Sequence, residues 1–161
     1  MSEVSMDRMS WRDYERHVKD AGAVVLLPVG ATEQHGPHLP LGADALLATA
    51  VAQDVARRVE GIVAPTFSYG YKSQPKCGGG NYFCGTTSLD AATLAAQVKD
   101  VVREFARHGV KHLVIVRGHT FSNVAGVKKS QYSKRIMVSA EAKLNSRMAR
   151  SMPSIKNHWF S

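Results

Sequence analysis

The run Ala23-Val24-Val25-Leu26-Leu27-Pro28-Val29 is apolar throughout and stops at Gly30. A strand with one face in water alternates apolar and polar residues. This run does not alternate, so both of its faces must be covered, as in a parallel sheet. It is also far shorter than the roughly 20 apolar residues needed to cross a bilayer. A second run of the same kind, Leu113-Val114-Ile115-Val116, leads into Gly118-His119, and a shorter one, Ile62-Val63-Ala64-Pro65, lies between them. Helix-length segments separate the three. Strands alternating with helices predict βαβ units and an α/β fold, here a three-layer α/β/α arrangement with a mostly parallel sheet.

The helical segments carry their own signals. Ser10 can cap a first helix, with Asp13 at the capping-box spacing and Trp11, Tyr14 and Val18 on one face. Ala45 to Val59 reads as a second helix, with Leu46, Ala50, Val51, Val55 and Val59 as its apolar face. Ser88 or Asp90 caps a third, Ala91 to His108, lined by Leu94, Val98, Val101, Val102 and Phe105 and stopped by Gly109. From Phe67 to Thr87 the chain is punctuated by Gly and Pro without a helical period. That predicts a long structured loop, the kind of segment that carries function.

After Asn123 the texture changes to Lys, Arg, Ser and Met, with Leu144, Met148 and Met152 marking one thin helical face and no further strand. The expectation is an α/β domain over 1–123 and a basic, weakly structured tail over 124–161. Charge divides at the same place. The formal net charge is +8, but residues 1–123 hold 13 Lys/Arg against 12 Asp/Glu, whereas 124–161 hold 8 Lys/Arg against Glu141 alone. Such a tail either contacts anionic partners or is a solvated end. The nearly neutral body and the lack of aromatic-basic interleaving argue against nucleic acid. Met1 to Arg8 includes Glu3 and Asp7 and leads into no apolar segment, which points to the cytoplasm. Cys77 and Cys84 lack metal-knot spacing and are expected to be free thiols.

In open α/β sheets, ligands gather beyond the carboxyl ends of the strands. Glu33 and His35 follow the first strand, Asp44 lies at the entry of the next helix, and His119 follows the strand ending at Val116. Two carboxylates and two imidazoles at one edge would suit zinc or manganese. Cations held there would activate a water for attack on a carbonyl. Each residue also has a plainer explanation. Glu33 could be a solvated loop acid, His35 a loop hydrogen-bonder, Asp44 a helix cap and His119 a turn residue.

Pro28-Val29-Gly30-Ala31-Thr32-Glu33-Gln34-His35-Gly36, followed by Asp44, resembles the signature of the creatininase family. Ser10-Trp11-Arg12-Asp13-Tyr14-Glu15 is similar to the family's opening helix. Tyr69-Gly70-Tyr71-Lys72-Ser73-Gln74, Gly78-Gly79-Gly80-Asn81, Gly85-Thr86-Thr87-Ser88-Leu89, Ala106-Arg107-His108-Gly109 and Gly118-His119 extend the likeness over roughly residues 10–119. The resemblance implies a two-metal hydrolase, using zinc or manganese, that opens the cyclic amide of creatinine to creatine. Position by position it implies that Glu33 and His119 bind one metal, His35 binds the other and Asp44 bridges them. It places Gly78, Gly79, Gly80 and Asn81 beside the substrate. It also implies a homo-oligomer, hexameric in the family. Other members' amide chemistry, on a formamide or a peptide, is the alternative, as is a non-catalytic metal-binding fragment whose tail meets anionic partners.

The chain departs from the pattern after Gly118-His119. Phe121 stands where the creatininase branch has a metal-binding Glu, and neither Ser122 nor Asn123 replaces a carboxylate well. The change in composition after Asn123 raises the expectation of a truncated or frame-shifted continuation with impaired activity.

Overall fold

The structure, a computed structural model, describes residues 3–72 and 80–118 and the backbone of 137–139. The elements in chain order are α1 (Trp11–Lys19), β1 (Val25–Val29), α2 (Ala43–Val59), β2 (Ile62–Val63), α3 (Ala91–Arg107), β3 (His112–Arg117) and β4 (Met137–Ser139). Short 3-10 turns cover Met6–Arg8 and Gly80–Tyr82. The strands form one sheet in the order β2-β1-β3-β4, with every pair parallel.

The sheet turns about β1. Val25 pairs with Ile62 on one side and with Leu113 on the other. The chain leaves β1 through α2 to reach β2, then crosses back through α3 to β3. Parallel crossovers keep one hand, so connections to opposite sides of β1 place their helices on opposite faces. The core follows. Val25, Leu27 and Val29 pack with Val18 of α1 and with Leu94, Val98, Val102 and Phe105 of α3. Leu26 packs on the other face with Ala52 and Ala56 of α2 and with Val4 and Val63. All five residues of β1 are buried, as its unbroken apolar run requires. The three-layer α/β architecture expected from the sequence is therefore present.

The helix ends obey local chemistry. Ser10 Oγ accepts the Asp13 backbone N–H at 3.2 Å and donates to Asp13 Oδ2 at 2.6 Å, which closes the cap of α1. Asp90 is the N-cap residue of α3, and Gly109, at φ +92°, ends the turn that follows it. Residues 4–5 lie along the outer edge of β2, where the Val63 N–H donates to the Val4 carbonyl at 2.8 Å. That contact shields an otherwise open sheet edge.

Three expectations change. The buried face of α2 is Ala45, Ala48, Ala52 and Ala56, whereas Leu46, Leu47 and Val51 are exposed. Hydropathy ranks the larger side chains as core, but where the helix presses close to the sheet alanines fit best; of the expected face, Val55 does pack against the core. Trp11 is exposed at the first position of α1, with the Arg12 guanidinium 5.2 Å from its ring centre; only Tyr14 and Val18 reach the core. Met137-Val138-Ser139 forms a fourth strand on β3, in a segment where no strand was expected. Its short apolar core is masked in the sequence by the surrounding Lys, Arg and Ser. The remaining residues of 124–161, including Leu144, Met148 and Met152, lie outside the described part.

Candidate metal centre

Beyond Val29 the chain must leave the sheet. Gly30 donates its N–H to the Phe67 carbonyl at 2.8 Å, and the Glu33 N–H donates to the Leu41 carbonyl at 2.9 Å. These bonds fold residues 31–41 back over the carboxyl edge of β1. The loop is tied from outside as well. Thr32 Oγ1 donates to the Ser68 carbonyl at 2.8 Å, and the Thr87 N–H donates to the Thr32 carbonyl at 2.9 Å. The Gln34 N–H donates to Thr86 Oγ1 at 3.2 Å, while Gln34 Oε1 accepts the Gly36 N–H at 2.9 Å. Gly36 turns the backbone at φ +73°, a conformation that glycine adopts without a steric penalty.

This folding brings Glu33, His35 and Asp44 together. Each offers one ligand atom, and the three atoms lie within 4.8 Å of one another. Glu33 is 6% exposed and Asp44 8%. Asp44 is not the helix cap. Gly42 occupies the N-cap of α2, and Asp44 sits in the first turn, where the helix dipole favours a negative charge. His35 is held at both ring nitrogens: Nδ1 lies 3.0 Å from the Glu33 carbonyl and Nε2 lies 3.0 Å from Asp44 Oδ1. Burial pushes its pKa down, but the Glu33 carbonyl and the Asp44 carboxylate outweigh that effect, and the net shift is upward.

The donor set fits a divalent cation. Two buried carboxylates at this separation carry like charges that a cation relieves. A histidine whose Nδ1–H is held by a backbone carbonyl presents Nε2 as a ligand, the usual outer-shell arrangement at metal sites. Glu33, His35 and Asp44 could thus hold an ion between the ends of β1 and β3, where the sheet order turns.

Of the other residues singled out from sequence, His119, Gly78, Gly79 and Phe121 lie outside the described residues. Gly80 and Asn81 begin the turn at Gly80–Tyr82, and Asn81 Oδ1 accepts the Ser88 hydroxyl at 3.1 Å. Thr86 and Thr87, on the exit of the same loop, reach back to Gln34 and Thr32, on either side of Glu33. Sequence reasoning missed this tether, because a threonine pair in a loop has no spacing that reveals its partner.

The Creatininase family model, described as creatinine amidohydrolase, matches residues 7–152. The chain belongs to the creatininase family. The match runs past Asn123, further than the motifs that first suggested it. Creatinine amidohydrolase of Pseudomonas putida is 52% identical over 116 residues, 72% of this chain and 45% of that protein. A mycofactocin precursor peptide peptidase of Mycobacterium ulcerans is 38% identical over 104 residues, 59% of this chain and 39% of that protein. The crystal structure of a creatinine amidohydrolase superposes with a TM-score of 0.71 at 52% identity, covering 74% of this chain and 46% of that one. Solved creatininases also include a Zn-Zn type, an Mn form and a variant complexed with creatine. The chain spans less than half the length of these relatives.

Proposed function

We propose that this chain is a metal-dependent amidohydrolase acting on the cyclic amide of creatinine to give creatine. The observation that carries the reading is the convergence of Glu33, His35 and Asp44 within 4.8 Å at the carboxyl edge of the sheet. The 52% identity to a creatinine amidohydrolase supports the choice of substrate. In this reading Glu33, His35, Asp44 and His119 would hold two zinc or manganese ions, Glu33 and His119 serving one, His35 the other and Asp44 both. Divalent cations there supply Lewis acidity and an activated water. Gly78, Gly79, Gly80 and Asn81 border the substrate, and backbone N–H groups without side chains let a small planar molecule approach closely. The Thr86 and Thr87 tethers keep that loop in register with the metal ligands.

The proposal extends to organisation. Residues 1–123 carry most of the α/β domain, 124–161 form a basic tail that adds β4 to its sheet, and the protein works in the cytoplasm as a homo-oligomer, hexameric like its family. No described helix is long and apolar enough to cross a membrane. Turnover is low in this chain, because Phe121 stands where the creatininase branch places a metal-binding Glu, and phenylalanine cannot ligate.

A second reading is hydrolysis of another amide, a formamide or a peptide. The 38% identity to a peptide peptidase favours its peptide form. The test is an assay of the purified chain with creatinine, a formamide and a peptide, each with added manganese or zinc. Slow, metal-dependent release of creatine supports the first reading. Cleavage of the peptide or formamide alone transfers the function to the second. Binding of metal without turnover of any substrate leaves a non-catalytic metal-binding fragment, and brisk creatinine turnover would refute the impairment assigned to Phe121.

A further inference from the structure

Two glycines from different strands meet the same peptide of α2. A Cβ built on Gly30, one residue beyond β1, would lie 2.5 Å from Ala45 Cα and 2.8 Å from the Asp44 carbonyl carbon. A Cβ on Gly118, one residue beyond β3, would lie 2.8 Å from the same carbonyl carbon and closer still to its oxygen. Both obstructions are backbone, so no side-chain rotation relieves them. Neither glycine has a positive φ, so its need is room rather than backbone conformation. The Gly118 N–H donates to the Val29 carbonyl at 3.0 Å, which locks the two strand ends together beneath the helix. The alanine face of α2 continues this close approach along the sheet.

We infer that Gly30 and Gly118 are positioning residues for metal binding: they let the first turn of α2 descend between the ends of β1 and β3, and so set Asp44 against Glu33 and His35. The inference rests on the metal-site reading above. A side chain at either glycine pushes the Asp44 peptide outward and opens the ligand set, while Glu33 and His35, fixed by their own loop bonds, stay behind. Gly61 offers a contrast. Its Cβ would also meet backbone, the Val24 carbonyl oxygen at 2.9 Å, but at the amino edge of the sheet, away from the ligands.

The experiment compares Gly30→Ala, Gly118→Ala and Gly61→Ala in the full chain, with the core truncation Val98→Ala as a second comparator. Thermal midpoints of the metal-free proteins and calorimetric affinities for Mn2+ and Zn2+ are both measured. Displaced supports around ligands cost about 10- to 100-fold in metal affinity, and that loss is expected for Gly30→Ala and Gly118→Ala. Gly61→Ala and Val98→Ala are expected to lower the midpoint while keeping wild-type affinity. Wild-type affinity in either site-glycine variant overturns the inference, as does a loss that merely follows the midpoint across all four. Failure of a site-glycine variant to fold where the wild type folds also overturns it, since the glycine then serves the fold as a whole. Absence of metal binding by the wild type instead refutes the metal-site reading on which the inference stands.

Discussion

Thr86 shows how much of the site depends on single groups outside the ligand set. Its hydroxyl accepts the Gln34 N–H, and removing that acceptor leaves a partly buried donor in the ligand loop. Thr86→Val should lower the stability of the metal-free protein by about 1 kcal/mol, read by denaturant unfolding; an unchanged midpoint would mean that water replaces the hydroxyl. The candidate ligands are legible in the sequence as a cluster. Glu33, His35 and Asp44 lie close along the chain, just past an unmistakable buried strand, so their convergence needs only one loop. Asp44 could equally have been a cap by sequence, and only the placement of Gly42 at the N-cap removes that alternative. Gly30 and Gly118 were visible as strand stops but not as contacts. Nothing in the letters says that two strand ends separated by most of the domain touch one peptide.

At the scale of elements, α2 is the instructive case. Its existence was plain from the sequence, yet its orientation was misread because a hydropathy pattern records transfer energy and not the distance between packed layers. The structure turns the alanines inward. Ala52, fully buried at 0% exposure, has no space for a larger group, so Ala52→Leu should destabilise by about 1–3 kcal/mol. Leu46, 61% exposed, should tolerate Leu46→Ala within about 0.5 kcal/mol. Thermal denaturation of the pair decides between the two faces; the reverse order would restore the leucine face. The cap of α1 makes a pH prediction. The Ser10 hydroxyl, then Arg16, hold the Asp13 carboxyl below its usual value. A depressed carboxylate stabilises the fold above its unfolded pKa and loses that contribution as pH falls through its folded pKa. Ser10→Ala should therefore cost about 1 kcal/mol near neutrality through the lost cap, and its deficit should narrow under acid. A deficit that grows on acidification would contradict the assignment.

At the scale of the whole molecule, the sheet order β2-β1-β3-β4 creates the site. Because the chain turns to opposite sides of β1, its crossover helices part there and leave a crevice at the carboxyl edge. The three-layer fold was legible because β1 and β3 are apolar without alternation. The strand β4 was not, because three residues among many cations give no pattern. If the crevice holds a cation only when folded, metal stabilises the native state by linkage, about 2.7 kcal/mol at one hundred times its dissociation constant. Chelation should lower the thermal midpoint of metal-loaded protein accordingly, and an unchanged midpoint would mean that any bound metal sits equally well on the unfolded chain. The account stands most directly on Asp44 as a metal ligand. Calorimetric titration of the metal-free full chain with Mn2+ or Zn2+ should show saturable binding that Asp44→Asn abolishes at unchanged secondary structure; identical isotherms for the two proteins, or no binding to the wild type, would contradict it.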